Sequence, residues 1–364
     1  MLDLGVMLQE LAQKQARLLA SYCINAQPGE SILIQGSTVG LPVLEALHKE
    51  ILLRGARPIL KLEFPYQTAE FVNLASDEVL ASLAPGVMEE IHGIAGSIRV
   101  ETPMAPKQGA RPERMQRWSQ TLHPMAEVRR QRKWCLTQYP TEYAAEAAGM
   151  GFEDYQRFVM QAMFLDHDDP VAKWGEVRER QARLIERLAQ ASEIRILSEN
   201  TDLILNVKGR TWANSDGKRN MPSGEVFTGP IETSASGHIF YDLPTLYQGR
   251  EVQGIHLTFK DGQVVDAHAE VGNDVLQAAL NTDQGARYLG EIGIGTNYGI
   301  QVPSKNILFD EKIGGTVHLA VGSSYPETGG LNKSTIHWDM ICDLRTGGEI
   351  LLDGEVFQRD GVFV

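Results

Sequence analysis

Cysteine is nearly absent from this chain, and its scarcity removes several chemistries at once. Only Cys23, Cys135 and Cys342 occur in 364 residues. An odd number at wide spacing is not a disulfide framework. None belongs to a C-x-x-C pair, which argues against a thiolate zinc site. Positive charge is also short: 34 Lys and Arg face 47 Asp and Glu, a net charge of −13. That balance argues against nucleic acid or an anionic membrane as a partner. The opening segment Met1 to Ser21 reads as an amphipathic helix carrying Asp3, Glu10, Lys14 and Arg17. It has no continuous apolar run, so neither a signal peptide nor a membrane span is expected there, and the expected location is the cytoplasm. Two nucleotide signatures are missing as well. Gly36-Ser37-Thr38-Val39-Gly40 follows a strand pattern and opens a helix pattern, but it lacks G-x-G-x-x-G and the phosphate-loop lysine. It reads as a plain βα turn. No G-x-S-x-G elbow marks a serine hydrolase.

What remains is a soluble globular composition, 43% apolar and 22% charged. The length exceeds one ordinary core, so two domains are expected, 1–190 and 191–364. The first half alternates helix and strand. Ser31 to Gln35, Arg57 to Leu62, Gly96 to Val100 and Trp134 to Thr137 read as strands, with helices near residues 6–22 and through Val43, Leu44, Leu47 and Ile51. Such alternation predicts an α/β domain with an open, mostly parallel sheet. Pro112 to Arg132 is basic and reads as a helix with a solvated face. From Gly151 to Gln190 the pattern is helical, with Asp168-Asp169-Pro170 as a cap placing proline at the first helical position. Beyond Ser192 short strands dominate, including Ile194 to Leu197, Leu203 to Val207 and Ile255 to Phe259. Asp261-Gly262 and Asp353-Gly354 sit between alternating runs as hairpin signals. The second domain therefore reads as α+β and rich in short strands.

Metal-capable side chains gather in this second domain: Glu225, Glu291, His318, His337 and Asp339. If Thr335 to Asp343 is extended, His337 and Asp339 share a face and Trp338 points to the opposite layer. Around His318 the apolar Val317, Leu319 and Val321 alternate with Thr316, His318 and Ala320, setting the imidazole apart from the core. Taken alone, His318 is as well explained by a core histidine bonded to a backbone carbonyl. Glu291 lies among Gly290, Gly293 and Gly295; the latter two share its face in an extended run and are expected to leave an open floor for ligand or substrate. Glu225 follows a Pro-Ser-Gly turn. A buried glutamate needs either a metal or a basic partner. Mixed imidazole and carboxylate shells suit zinc, cobalt or manganese, and two such ions ~3.5–4 Å apart can activate a water for amide hydrolysis. His268 and Glu270 share a strand face but read as surface residues, His238 can line a cleft or pack, and Asp166-His167-Asp168-Asp169 reads as a loop before a helix.

The order of these residues closely resembles the thermophilic aminopeptidase family of cocatalytic metallopeptidases. The resemblance rests on Asn214 to Phe227, Gly290 to Asn297, Asn306 to Glu311, His318, Tyr325 and Ile336 to Asp339, and it spans the chain. It implies Glu225, Glu291, His318, His337 and Asp339 as metal ligands, and Glu311 as a further ligand or a carboxylate close behind them. It implies Tyr325 as the group that hydrogen-bonds the oxyanion, and Glu291 or Glu225 as the proton-shuttling carboxylate. It also implies two divalent ions, small peptides with a free amino terminus as substrates, and a homodimer. The link between Tyr325 and His337 is shorter than in some members, which bears on access and substrate preference. Two other readings make distinct forecasts. One is a metal-stabilised protein that binds peptides without cleaving them. The other is a ring-opening dioxygenase of the related dihydroxypyridine group, with a single iron(II) held by two histidines and a carboxylate. That group carries histidine at the position of Glu291 and no acid at that of Glu225.

Overall fold

The computed structural model describes residues 4–105 and 109–364, with side chains from Leu8 onward. Met1 to Asp3 of the expected first helix lie outside the described residues. Two compact units form, one from the residues up to Val171 together with Gly217–Met221, the other from Ala172–Asp216 and Pro222–Val364.

The first unit is built on a five-stranded parallel sheet. Its order is Arg57–Glu63, Ser31–Ser37, Gly96–Glu101, Lys133–Gln138 and the short Asn220–Met221. Ile32, Leu33 and Ile34 are all buried in succession, as a parallel strand covered on both faces requires. The helix Leu41–Leu53 buries Val43, Leu44, Leu47 and Ile51, a single helical stripe. Ser37 caps the preceding turn by accepting from the Val39 N–H at 3.3 Å, so Gly36 to Gly40 is the βα turn expected. The basic helix Pro112–Arg130 buries none of its residues, although Arg114 bridges to the Val72 and Ala75 carbonyls and to Asp77.

The second unit pairs a nine-stranded sheet with a five-stranded antiparallel one. In the larger sheet, Asp261-Gly262 and Asp353-Gly354 turn tight hairpins with positive φ at all four residues, the geometry whose twist suits a two-residue loop. The smaller sheet runs His337–Asp343, Thr316–Gly322, Leu289–Gly295, Glu225–Thr228 and Ala213–Ser215. One of its faces supplies Val226, Ile292, Ile294, Val317, Leu319, Val321, Trp338 and Met340 to a single apolar cluster. Ile194, Ile196, Leu203, Ile255 and Leu257 of the larger sheet complete that cluster. Each side chain so buried contributes about 1.5–3 kcal/mol. Leu184 and Leu188 of the helix Pro170–Leu188 join the same cluster. For that reason the unit begins ahead of the break expected near residue 191.

Candidate metal centre

The opposite face of the smaller sheet holds the metal-capable residues, and the strand register explains why they meet. Residues paired across an antiparallel ladder point to the same side. Glu291 pairs with Ala320, which pairs with Asp339; Gly293 pairs with His318 and Phe227; Gly295 pairs with Glu225; Gly322 pairs with His337. Glu225, Glu291, His318, His337 and Asp339 therefore share one face, and the small residues among them keep the floor low. The expected separation of His318 from the core and of His337 and Asp339 from Trp338 is what the ladder shows.

One irregularity is essential to this alignment. Strict alternation would put Leu289 and Glu291 on the same side. The ladder instead pairs Leu289 with Val321 and Glu291 with Ala320, a bulge at Gly290. The extra residue lets Leu289 enter the core cluster while Glu291 faces the centre. The glycine floor differs from the open surface expected. A Cβ on Gly293 would lie 2.1 Å from His318 Nε2, and one on Gly295 would lie 2.0 Å from the Ile313 carbonyl oxygen. The floor is covered by an imidazole and by backbone. Glycine at 293 makes room for the His318 ring, which period-two alternation cannot reveal.

His318 Nε2 lies 3.4 Å from Glu225 Oε2 and 3.6 Å from Glu291 Oε1. His337 Nε2 lies 3.3 Å from Glu291 Oε2 and 3.5 Å from Asp339 Oδ2. Three overlapping groups offer ligand atoms within 4.8 Å of one another: Glu225, Glu291 and His318; Glu291, His337 and Asp339; Glu311, His318 and Asp339. Glu311 follows the short helix Ile307–Asp310 rather than lying on the sheet. His337 Nδ1–H donates to the Ser323 carbonyl at 2.7 Å, which turns Nε2 toward the carboxylates as a ligating imidazole requires.

Burial and charge set the protonation of the metal-free centre. Burial works against the His337 imidazolium, yet the Asp339 and Glu291 carboxylates outweigh it and hold the ring's pKa up to about 12. Burial likewise opposes the charged form of His318, but Glu291, Glu225 and Asp339 carry its pKa to about 9. Burial raises the Glu311 carboxyl to about 8 against the pull of Lys312. Asp339 is lowered, because the facing His337 overcomes the cost of its own burial. Glu225 Oε2, Asp339 Oδ1 and both ring nitrogens of His318 are buried without a hydrogen-bond partner. A cation would supply a partner for the two carboxylate oxygens and for His318 Nε2, and oxygen and imidazole donors with no thiolate suit a borderline divalent metal. The residues fit such an ion.

Tyr325 stands beside the centre, its ring 5.2 Å from that of His337 and 5.5 Å from that of Phe227. The residue is 42% exposed; partial desolvation at the centre and the carboxylates of Glu291 and Asp339 raise its phenol above the ordinary value, so it stays a hydrogen-bond donor. Lys312 is a participant that pattern reading misses. It is fully buried, with Nζ against Glu311 and 3.7 Å from Glu225 Oε1. Its only sequence signal is adjacency to Glu311. His238, His268, Glu270 and the Asp166 to Asp169 loop are exposed on the surface.

Comparison with known proteins agrees with this geometry. The model of the thermophilic metalloprotease family (M29) matches residues 8–361. Aminopeptidase 2 of Geobacillus stearothermophilus is 28% identical, over 96% of this chain and 95% of its own. Among solved structures, wild-type AmpT from Thermus thermophilus shares the fold with a TM-score of 0.80 at 23% identity, covering 100% of both chains. A 2,5-dihydroxypyridine dioxygenase from Pseudomonas putida KT2440 gives a TM-score of 0.55 at 15% identity, over 97% of this chain and 96% of that one. With imidazoles and carboxylates converging on one sheet face and a family match running nearly from end to end, this chain belongs to the thermophilic metalloproteases (M29) and is a metal-dependent peptide hydrolase.

Proposed function

We propose that this chain is an aminopeptidase that removes the first residue from small peptides with a free amino terminus, using two divalent ions. The observation that carries the reading is Glu291. Its Oε1 faces His318 and its Oε2 faces His337, so one carboxylate serves two ligand groups. Glu225, Glu291 and His318 would hold one ion; Glu291, His337 and Asp339 would hold the other. Zinc, cobalt or manganese fits these donors. Bound there, two ions would polarise a substrate carbonyl and lower the pKa of a shared water.

The protein's own groups supply the rest. Tyr325, kept protonated, donates a hydrogen bond to the oxygen that gains charge as the carbonyl is attacked. A carboxylate of the Glu225–Glu291 pair takes the proton from water and delivers it to the leaving amine. Aminopeptidase 2 of Geobacillus stearothermophilus supports an amino-terminal specificity. The resemblance to thermophilic aminopeptidases extends the reading to a homodimer, which sedimentation of the purified chain would decide.

The decisive experiment loads the purified chain with zinc, cobalt or manganese and offers amino-acid anilides, short peptides and amino-terminally acetylated controls. Release of first residues from free termini alone, abolished by chelator, is the expected outcome. Inert peptides together with oxygen uptake on hydroxylated pyridines under iron(II) would overturn the reading. A fully metallated chain that cleaves no peptide of any length would favour a binding protein instead.

A further inference from the structure

His337 and Glu225 each stand first in their strands, where the ladder holds a residue from one end only. His337 is steadied by the Ser323 carbonyl on its ring. Glu225 follows Gly224, whose φ of 112° belongs to a turn, and its tie comes from outside the sheet. The helix Pro170–Leu188 buries Trp174, Val177, Gln181, Leu184 and Leu188. Spacing of three and four residues makes Gln181 the polar member of an apolar stripe. Its Nε2 lies 2.7 Å from the Glu225 carbonyl oxygen, 3.0 Å from Thr296 Oγ1 and 3.3 Å from the Ser215 carbonyl oxygen. Two of these are carbonyls, which only accept, so the amide nitrogen and not the amide oxygen faces the sheet. Ser215, Glu225 and Gly295 form one row across three strands, and Thr296 comes next along the chain. The adjoining Arg180 holds Thr296 as well, donating from Nη2 to its carbonyl at 2.6 Å. Gln181 Oε1 has no hydrogen-bond partner among the described residues. Burying an amide with its oxygen unsatisfied is unfavourable, so stability does not account for a glutamine in this stripe.

We propose that Gln181 is a positioning residue of the metal centre: its amide fixes the backbone of Glu225, and with it the direction from which that carboxylate reaches an ion. Gln181 acts through the Glu225 carbonyl and supplies no ligand atom. Its influence is one-sided. Glu291, His337 and Asp339 are held by the ladder and by the Ser323 carbonyl, with no bond to the helix among those described. Losing the Gln181 donors should therefore loosen the ion that Glu225 holds and spare the other. An apolar residue would pack in the stripe as well, but it would leave the first residue of the strand free to turn.

This inference rests on the two-ion reading above, and its test is arranged to separate the two. Stepwise dissociation constants for cobalt are measured by titration calorimetry on the wild type, Gln181→Met, Glu225→Ala and the double variant. Gln181→Met keeps the length of the side chain and removes both donors. One of its two constants should rise about 10–100-fold, as when a group that orients a ligand is lost. The other should stay within about threefold. In the Glu225→Ala background, where the carboxylate is gone, the same substitution should leave the remaining constant unchanged. Two unchanged constants in Gln181→Met would overturn the proposal. So would a weakening of both ions, or a loss that persists without the Glu225 carboxylate, since either marks a general loosening of the unit. If Gln181→Met does not fold, Gln181→Asn, whose amide is withdrawn by one methylene, is judged by the same outcomes. A wild type that binds a single ion would overturn the two-ion reading. Gln181 would then be judged on that ion, a weakened constant in Gln181→Met supporting its role and an unchanged one refuting it.

Discussion

Single residues carry the chemistry, and their roles were unequally legible. His337 and Asp339 could be assigned to one face from a period of two, because strand geometry alone decides it. Lys312 could not, since nothing in its neighbours shows that backbone on both sides would press an ammonium into a carboxylate cluster. Gly293 was legible as a position on the ligand face but not as the bed of the His318 ring. Replacing it by alanine would place a methyl group 2.1 Å from Nε2, forcing the imidazole off its position. Gly293→Ala should weaken metal affinity by about 10–100-fold with the fold intact, read by calorimetric titration beside a circular dichroism spectrum. Tyr325→Phe should behave in the opposite way. Its metal content should stay normal while kcat falls by roughly 10²–10³, and a near-normal kcat would remove Tyr325 from the mechanism.

At the scale of elements, the strands of the parallel sheet were readable because their apolar runs are short, uninterrupted and flanked by turn residues. The bulge at Gly290 was not. A bulge changes which residues face inward without changing composition, so alternation read through it would have mispaired Leu289 and Glu291. The loop before His337 shows a similar hidden tie. Asp283 accepts from the Gly285 and Ala286 N–H groups at 3.0 Å and from Ser334 Oγ, the Thr335 N–H and Thr335 Oγ1 at 2.7–2.9 Å. Those donors, the Thr335 N–H foremost, depress its carboxyl to about 2. The clasp is therefore complete above the ordinary carboxylate range and is lost only as pH falls through about 2. The sheet itself is the stronger constraint. Leu319 is buried between His318 and Ala320 on the core side. Leu319→Ala should cost about 2–5 kcal/mol of stability, measurable by denaturant unfolding, and should loosen metal binding although it touches no ligand.

For the whole molecule, the two-unit architecture followed from length and from the change in pattern after Ser192, whereas the edge between units did not. The helix Pro170–Leu188 looks continuous with the helical stretch before it, and only the destination of Leu184 and Leu188 reveals which core it serves. Electrostatics acts at this scale too. In the metal-free protein His318 and His337 hold protons with pKa values of about 9 and about 12, above the ordinary 6.5. Raised values mean that this stabilisation is full below about 6.5 and is lost as pH rises through about 9. The elevated Glu311 carboxyl adds to the same trend. Chelated protein should therefore show a melting temperature that declines between pH 6.5 and 9, while bound divalent ions, which replace those protons, should flatten the decline. A chelated protein with no such decline would refute this account.

The four strands that carry Glu225, Glu291, His318, His337 and Asp339 also supply one wall of the apolar cluster, in alternation except at the Gly290 bulge. Heat inactivation should consequently be all or none. No temperature should exist at which the second unit stays folded while its centre has come apart, because releasing His318 means releasing Val317 and Leu319 with it. Residual activity after heating and the tryptophan signal of Trp338 should fall along one curve.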